Sequence, residues 1–147
     1  MVRTLLSGAF SGLPDQLIDN VVARLREEQD FRLDGVVDAI RASGRNLEIT
    51  SDRLFGAGYG SDTVHLVFNL WYDFNYTPAY ENNLPQVDHI FPQSLLRTVK
   101  VAGAAGRLNT LKYREADRNQ LANCMLLTAA ENGAGGKGDT PPDEWFK

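Results

Sequence analysis

Three prolines inside fifteen residues, Pro78, Pro85 and Pro92, divide this chain into two kinds of sequence. Proline lacks the N–H that an inner helical turn needs and its ring clashes with the preceding turn, so no regular helix crosses this stretch. Ahead of it, from Leu13 to about Asn75, the pattern is helical. Pro14 suits a first-turn position. Leu13, Leu17, Val21 and Leu25 recur every four residues, and Ile18 and Val22 widen that apolar face. A shorter helix carries Val36, Val37 and Ile40, with Gly44 placed to end it. Thr50 or Ser51 caps a turn through Leu54, and Ser61 caps residues 63–72. That last segment is apolar nearly all round and is expected to be the buried centre of the helical part. Beyond the prolines, residues 87–91 read as a short strand stopped by Pro92, and residues 124–128 as a second. Their connection is expected to be helical over 107–120, with loops at 133–138 and at Pro141-Pro142. The expected class is α+β: a mainly helical part over 1–75 and a second part over 76–147, packed as one compact domain.

Composition narrows the function. The 147 residues carry nineteen acidic and fifteen basic side chains, a net charge of −4, which argues against a generic basic nucleic-acid coat. Charge is uneven, however. Residues 97–118 hold Arg97, Lys100, Arg107, Lys112, Arg114 and Arg118 against Glu115 and Asp117, either a solvated face or a phosphate-contacting one. One cysteine, Cys124, excludes an internal disulfide framework and a four-cysteine zinc site, and fits a reducing compartment as a buried, inert thiol. No apolar run is long enough to span a bilayer and the start lacks a signal peptide's apolar stretch, so a soluble cytoplasmic protein is expected. The aromatic run Trp71, Tyr72, Phe74, Tyr76 and Tyr80 is expected to pack the two parts together rather than stack bases. Trp145-Phe146 is expected to dock the tail.

Only two histidines exist. His65, between Val64 and Leu66, reads as a hydrogen-bonded core residue. His89 follows Asp88 at the end of a predicted strand, with Asn123, Asn132 and Lys137 further on. This set is what a one-metal phosphodiester hydrolase needs. Histidine deprotonates water near neutral pH. A carboxylate with an amide carbonyl gives a hard cation oxygen ligands while leaving positions open, and lysine meets a phosphate oxygen as a point charge. The alternative puts Asp88 at the surface and His89 hydrogen-bonded in the core. Neighbours in a regular strand point to opposite faces, so sharing one pocket requires the chain to twist or end there, as Pro92 allows.

The stretch Asp88-His-Ile-Phe-Pro-Gln-Ser-Leu-Leu96, then Asn123, then Asn132-Gly-Ala-Gly-Gly-Lys-Gly-Asp139, resembles the ββα-metal (HNH) nuclease motif. It is similar to the HNH domain of RNA-guided CRISPR nucleases. It is closer to the C-terminal nuclease domain of GmrSD-type restriction enzymes, which pair His-Ile-x-Pro with a later Asn-x-x-Leu-Leu-Thr…Glu-Asn, here Asn123-Cys-Met-Leu-Leu-Thr128 and Glu131-Asn132. Leu5-Leu-Ser-Gly-Ala-Phe-Ser-Gly12 resembles the helical lead-in of those enzymes.

The resemblance implies a DNA endonuclease with a two-stranded antiparallel sheet at its site, serving restriction or phosphorothioate-linked anti-phage defence. His89 is then the general base, Asp88 and Asn132 hold Mg²⁺ or Mn²⁺, and Asn123 orients the histidine-bearing loop. Lys137 meets phosphate or product, and Arg118 contacts the DNA backbone. It also implies an N-terminal nucleotide-hydrolysing domain in the full-length protein. No Walker-type loop occurs here, so the chain is expected to be a fragment. One site cuts one strand, so a double-strand break would call for a homodimer. Two rivals are a catalytically idle docking domain and an RNase of the same motif.

Overall fold

The computed structural model describes residues 2–12, 14–28, 30–72 and 85–147. Leu13, Phe74, Tyr76, Pro78, Tyr80 and Leu84, on which several expectations rest, lie outside the described residues. The chain divides into two compact units, Met1–Leu54 and Phe55–Lys147.

The first unit is helical: α1 (Val2–Leu6), α2 (Asp15–Glu27), α3 (Leu33–Ala42) and all but the last residue of the short α4 (Ser51–Phe55). Leu17 of α2 and Ile40 of α3 meet Ala9 and Leu47 in its buried cluster, with Val21, Val36, Val37 and Phe10 packed against it. Burying an Ile or Leu side chain stabilises by roughly 1.5–3 kcal/mol, so this small cluster is what the four-residue spacing in α2 serves. Ile18 and Val22 stay exposed, making the buried stripe narrower than expected. Gly44 ends α3 in a left-handed conformation, φ +73°. That turn lets Gly44 N–H donate to Arg41 O and Arg45 N–H to Ile40 O, satisfying two carbonyls of the last turn. Thr50 Oγ1 accepts from Arg53 N–H at the start of α4.

The second unit begins with α5 (Val64–Trp71) and holds two antiparallel two-stranded sheets, so the α+β class stands. Helix α5 departs from expectation. It buries Val64 and Val67 but leaves Leu70 exposed and Trp71 82% exposed. His65 is exposed too, which overturns its assignment to the core. An apolar helix need not be buried all round when only one face has a sheet-sized partner. Ser61 Oγ accepts from Thr63 N–H, bracing the turn before the helix, and the Thr63 hydroxyl bonds to Ser61 Oγ rather than capping a helical N–H.

Strands β1 (Gln86–His89) and β4 (Cys124–Leu127) pair with Asp88 opposite Met125 and His89 opposite Cys124. Cys124, Leu126 and Leu127 are buried, as suits an apolar strand under the site. Between them come α6 (Gln93–Leu96), a hairpin of β2 (Lys100–Ala102) and β3 (Leu108–Leu111), and one helical turn α7 (Glu115–Arg118). The expected helix over 107–120 is therefore mostly strand and turn. Gly106, at φ +74°, turns the hairpin, and Val99, Val101 and Thr110 are β-branched. The helix after β4, α8 (Ala129–Asn132), is a single turn ending at Gly133, and a last turn, α9 (Pro142–Trp145), follows. Trp145 is half-buried, whereas Phe146, though it lines an apolar hollow with Val67 and Met125, stays exposed. Among the described residues no helix is long and apolar enough to cross a membrane.

Candidate functional site

Strand β1 sends alternate side chains to its two faces, and the chemistry-bearing residues sort accordingly. His89 is 6% exposed. Its Nε2 lies 3.0 Å from Asn119 Oδ1 and 3.1 Å from Gln93 Nε2, and Gln93 Nε2 donates to Asn119 Oδ1 at 2.9 Å. The Tyr59 ring covers the imidazole, centroids 4.1 Å apart. Arg97 Nη2 donates to Gln93 Oε1 at 2.6 Å, which turns the other end of that amide, its N–H₂, toward the histidine. One ring nitrogen thus faces both an acceptor and a donor. Protonated, Nε2 donates to Asn119; unprotonated, it accepts from Gln93. Either tautomer of the ring therefore finds a partner at this nitrogen.

Backbone close packing holds Asn119 there. Tyr59 N–H donates to Asn119 O at 2.9 Å, and a Cβ on Gly58 would collide with that same oxygen. Glycine at 58 is therefore what permits the approach. Asn123 clamps the loop that follows His89. Its Oδ1 accepts from Phe91 N–H at 2.8 Å, and its Nδ2 donates to Phe91 O at 3.2 Å and to Arg118 O at 2.8 Å. Phe91 leaves the sheet with both main-chain groups satisfied, so the strand can stop at His89 without orphaned polar groups.

Asp88 belongs to the other face, with Gln86. Its Oδ2 lies 2.8 Å from Lys137 Nζ, and the lysine side chain is 0% exposed. Asn132 Nδ2 donates to Gln86 Oε1 at 2.9 Å. The Gly-rich loop carries Lys137 inward. Lys137 N–H donates to Glu131 O, and a Cβ on Gly136 would strike that oxygen. At the start of α8, Thr128 and Glu131 cap each other. The two Thr128 hydrogen bonds hold the Glu131 carboxyl below its ordinary pKa. On β4, burial pushes the Cys124 thiol up to about 11, and its Sγ donates to Gln120 O.

The structure brings Asp88 to Lys137 and Asn132 to Gln86, and it gives His89 Tyr59, Gln93 and Asn119 as partners. Arg118 is 6% exposed, its Nη1 donating to Tyr113 O at 2.7 Å. Its guanidinium braces the turn rather than projecting to solvent. Sequence reasoning missed Gln93, Asn119 and Tyr59. Gln93 lay in view inside the motif, two residues beyond Phe91. Asn119 was hidden in the connection expected to be helical over 107–120. Tyr59 had no signal beyond its flanking glycines.

A divalent cation can be tested against these donors. Among the described residues no three His, Cys, Asp or Glu side chains cluster as a metal cage. Asp88 and Asn132 nevertheless contribute a carboxylate and an amide, and the Oδ1 atom of each has no hydrogen-bond partner among the described residues. Hard oxygen donors few in number, completed by water and phosphate, are the usual provision for Mg²⁺. The donors fit in kind, with Lys137 sharing Asp88.

No curated protein and no solved structure gave a significant match to the chain. A comparison with known families matches residues 48–145, about two thirds of the sequence and all of β1 through α9, to the family described as GmrSD restriction endonucleases, C-terminal domain. With His89, Asn123, Asn132 and Lys137 all inside that span, the chain belongs to the GmrSD C-terminal domain family and has a restriction-endonuclease-related function.

Proposed function

We propose that this chain is a metal-dependent HNH endonuclease domain that hydrolyses phosphodiester bonds in DNA, with His89 as the general base. The single observation that supports it most is the double partnering of His89 Nε2 by Asn119 Oδ1 and Gln93 Nε2. In this reading Gln93 and Asn119 are positioning residues that keep Nε2 usable in both proton states. Asn123 holds the following loop at a fixed exit angle. Asp88 and Asn132 hold Mg²⁺ or Mn²⁺, which when bound supplies charge neutralisation at the scissile phosphate. Lys137 balances Asp88 and can turn to a phosphate oxygen. A positioned base contributes typically 10²- to 10⁴-fold, so electrostatic stabilisation carries the rest. The wider setting is restriction or anti-phage defence, beside a nucleotide-hydrolysing domain, with double-strand cleavage requiring two copies. Arg118 enters this reading as a brace of the Asn119 turn, and backbone contacts fall to the exposed bases Lys100, Arg107 and Lys112.

A second reading, a docking domain that keeps the motif without cleaving, draws on the low exposure of His89 and on the ammonium already paired with Asp88. Supercoiled plasmid with Mg²⁺ or Mn²⁺ separates the two. The first reading expects nicked product from the wild type and a loss of at least about 100-fold in His89→Ala, assayed at a temperature where circular dichroism shows the variant folded. Persistent supercoiling with every divalent cation, using the full-length protein as well, rejects it. Labelled RNA offered beside the plasmid tests the RNase rival.

A further inference from the structure

Outside the motif, the first unit contains a cleft of about 430 Å³ lined by Arg3, Arg41 and Arg45 together with Asn46 and Glu48. That size lies within the roughly 300–1,000 Å³ common for ligand pockets. Three arginines lining one hollow is an unusual investment for residues 1–54, which carry nine acidic against seven basic side chains. Elsewhere in this unit arginines close to acids pair with them: Arg24 with Glu27 and Glu28, and Arg32 with Asp34. In the cleft they do not. Among the described residues no ion pair involves Arg3, Arg41 or Arg45, although Glu48 lines the same wall. Glu48 is instead engaged by Asn46, whose Nδ2 lies 3.4 Å from its Oε2 and whose Oδ1 accepts from its N–H at 2.8 Å.

The backbone under two of the arginines is fixed. Gly44, in its left-handed conformation, allows the Arg45 N–H to Ile40 O bond of 3.2 Å, and Leu47 is buried two residues later. Arg41 sits in the last turn of α3, and Arg45 is half-buried just beyond it. Part of this charge offsets the helix C-terminus, which amounts to about half a charge and acts only within the last turn. Three guanidinium groups exceed that, and their mutual repulsion is relieved by an anion between them. The planar five-donor fork of arginine matches phosphate oxygens bidentately.

We infer that this cleft binds phosphate. The ligand is either a backbone phosphate of nucleic acid held at a second point away from the scissile bond, or a free phosphate-bearing small molecule. Arg3, Arg41 and Arg45 all precede residue 48, so the three arginines lie outside the matched family span.

The test uses the whole chain without divalent cation, so that it is independent of cleavage at His89. Amide NMR shifts are followed while inorganic phosphate, and separately a 20-base-pair duplex, is added. Shifts at Arg45, Asn46 and Glu48 are expected with at least one probe: phosphate alone identifies a small-molecule site, and the duplex a backbone site. For the duplex, the salt dependence of binding by fluorescence anisotropy should flatten in R3Q/R41Q/R45Q by about 0.9 per lost phosphate contact. Arg26→Gln, outside the cleft, should leave it unchanged. If the triple variant unfolds early, exposed Arg41→Gln alone provides the same comparison at one contact. Silent cleft amides with both probes, or variants that bind like wild type, overturn the inference.

Discussion

Replacing Lys137 by methionine keeps most of the buried volume but removes the ammonium that faces Asp88. The pair is 2.8 Å apart, with the lysine side chain fully buried and the aspartate side chain 20% exposed. Removing one member of a buried pair leaves an uncompensated charge, and such changes cost about 3–5 kcal/mol. Asp88 keeps some contact with water, which places the expected loss near the lower figure, about 3 kcal/mol. For a chain of this size that corresponds to a fall in Tm of roughly 6–12 °C. Thermal unfolding followed by circular dichroism, with urea titration for the free energy, reads the effect. The informative step is the second substitution. Lys137→Met with Asp88→Asn replaces both charges, and neutral replacement of a buried pair is often energetically level. The double variant should therefore regain most of the loss. A single variant within about 0.5 kcal/mol of wild type, or a double variant as unstable as the single one, would refute the argument that charge rather than packing governs this site.

Asn123→Ala removes three hydrogen bonds that tie Phe91 to the turn after α7; at about 0.5–1.5 kcal/mol each, urea titration should show a loss of roughly 2–3 kcal/mol. Cys124, with its thiol pushed from 9.0 to about 11, should react with iodoacetamide at pH 8 about 100-fold more slowly in the native chain than in urea. The sign for stability follows from the same shift. A thiol raised on folding contributes fully below pH 9 and its contribution is lost as pH rises toward 11, so Cys124→Ala should flatten stability over that window. Thr128→Ala removes the reciprocal cap of α8 and should cost about 1 kcal/mol in urea titration. It should also return the Glu131 carboxyl, observed by NMR titration, upward to its ordinary value. The stabilisation carried by that lowered group is present above the ordinary carboxyl range and disappears as pH falls through its folded value.

Short apolar runs were enough to locate β1, which Pro85 and Pro92 bracket, and β4, whose burial is written as a continuous apolar run. The helices α2 and α3 were legible for the same reason, as was the cap at Gly44. The β2–β3 hairpin was not. All its strand residues are exposed, so no burial pattern marks it, and Lys100 and Arg107 imitate a solvated helix. Helix α5 misled in the opposite way: composition suggested burial, but which face meets the sheet depends on contacts that one segment does not encode. At the site, the residue types in the motif pointed to the right strand and loop. Their partners were beyond reach, because Asn119 and Tyr59 meet His89 only through backbone packing at Gly58 and a turn thirty residues downstream of the strand.

The ladder between β1 and β4 is four residues long, and it sorts a charged compartment from a neutral one. A slip of one position would carry Asp88 into the space between Tyr59 and Asn119 and deliver an imidazole to the ammonium of Lys137. Both exchanges are unfavourable, one stranding a carboxylate beside an amide oxygen and the other leaving a cation without its counter-charge. The polar side chains of this short strand therefore act as a registration mark, penalising every misaligned pairing that the few ladder hydrogen bonds alone would tolerate.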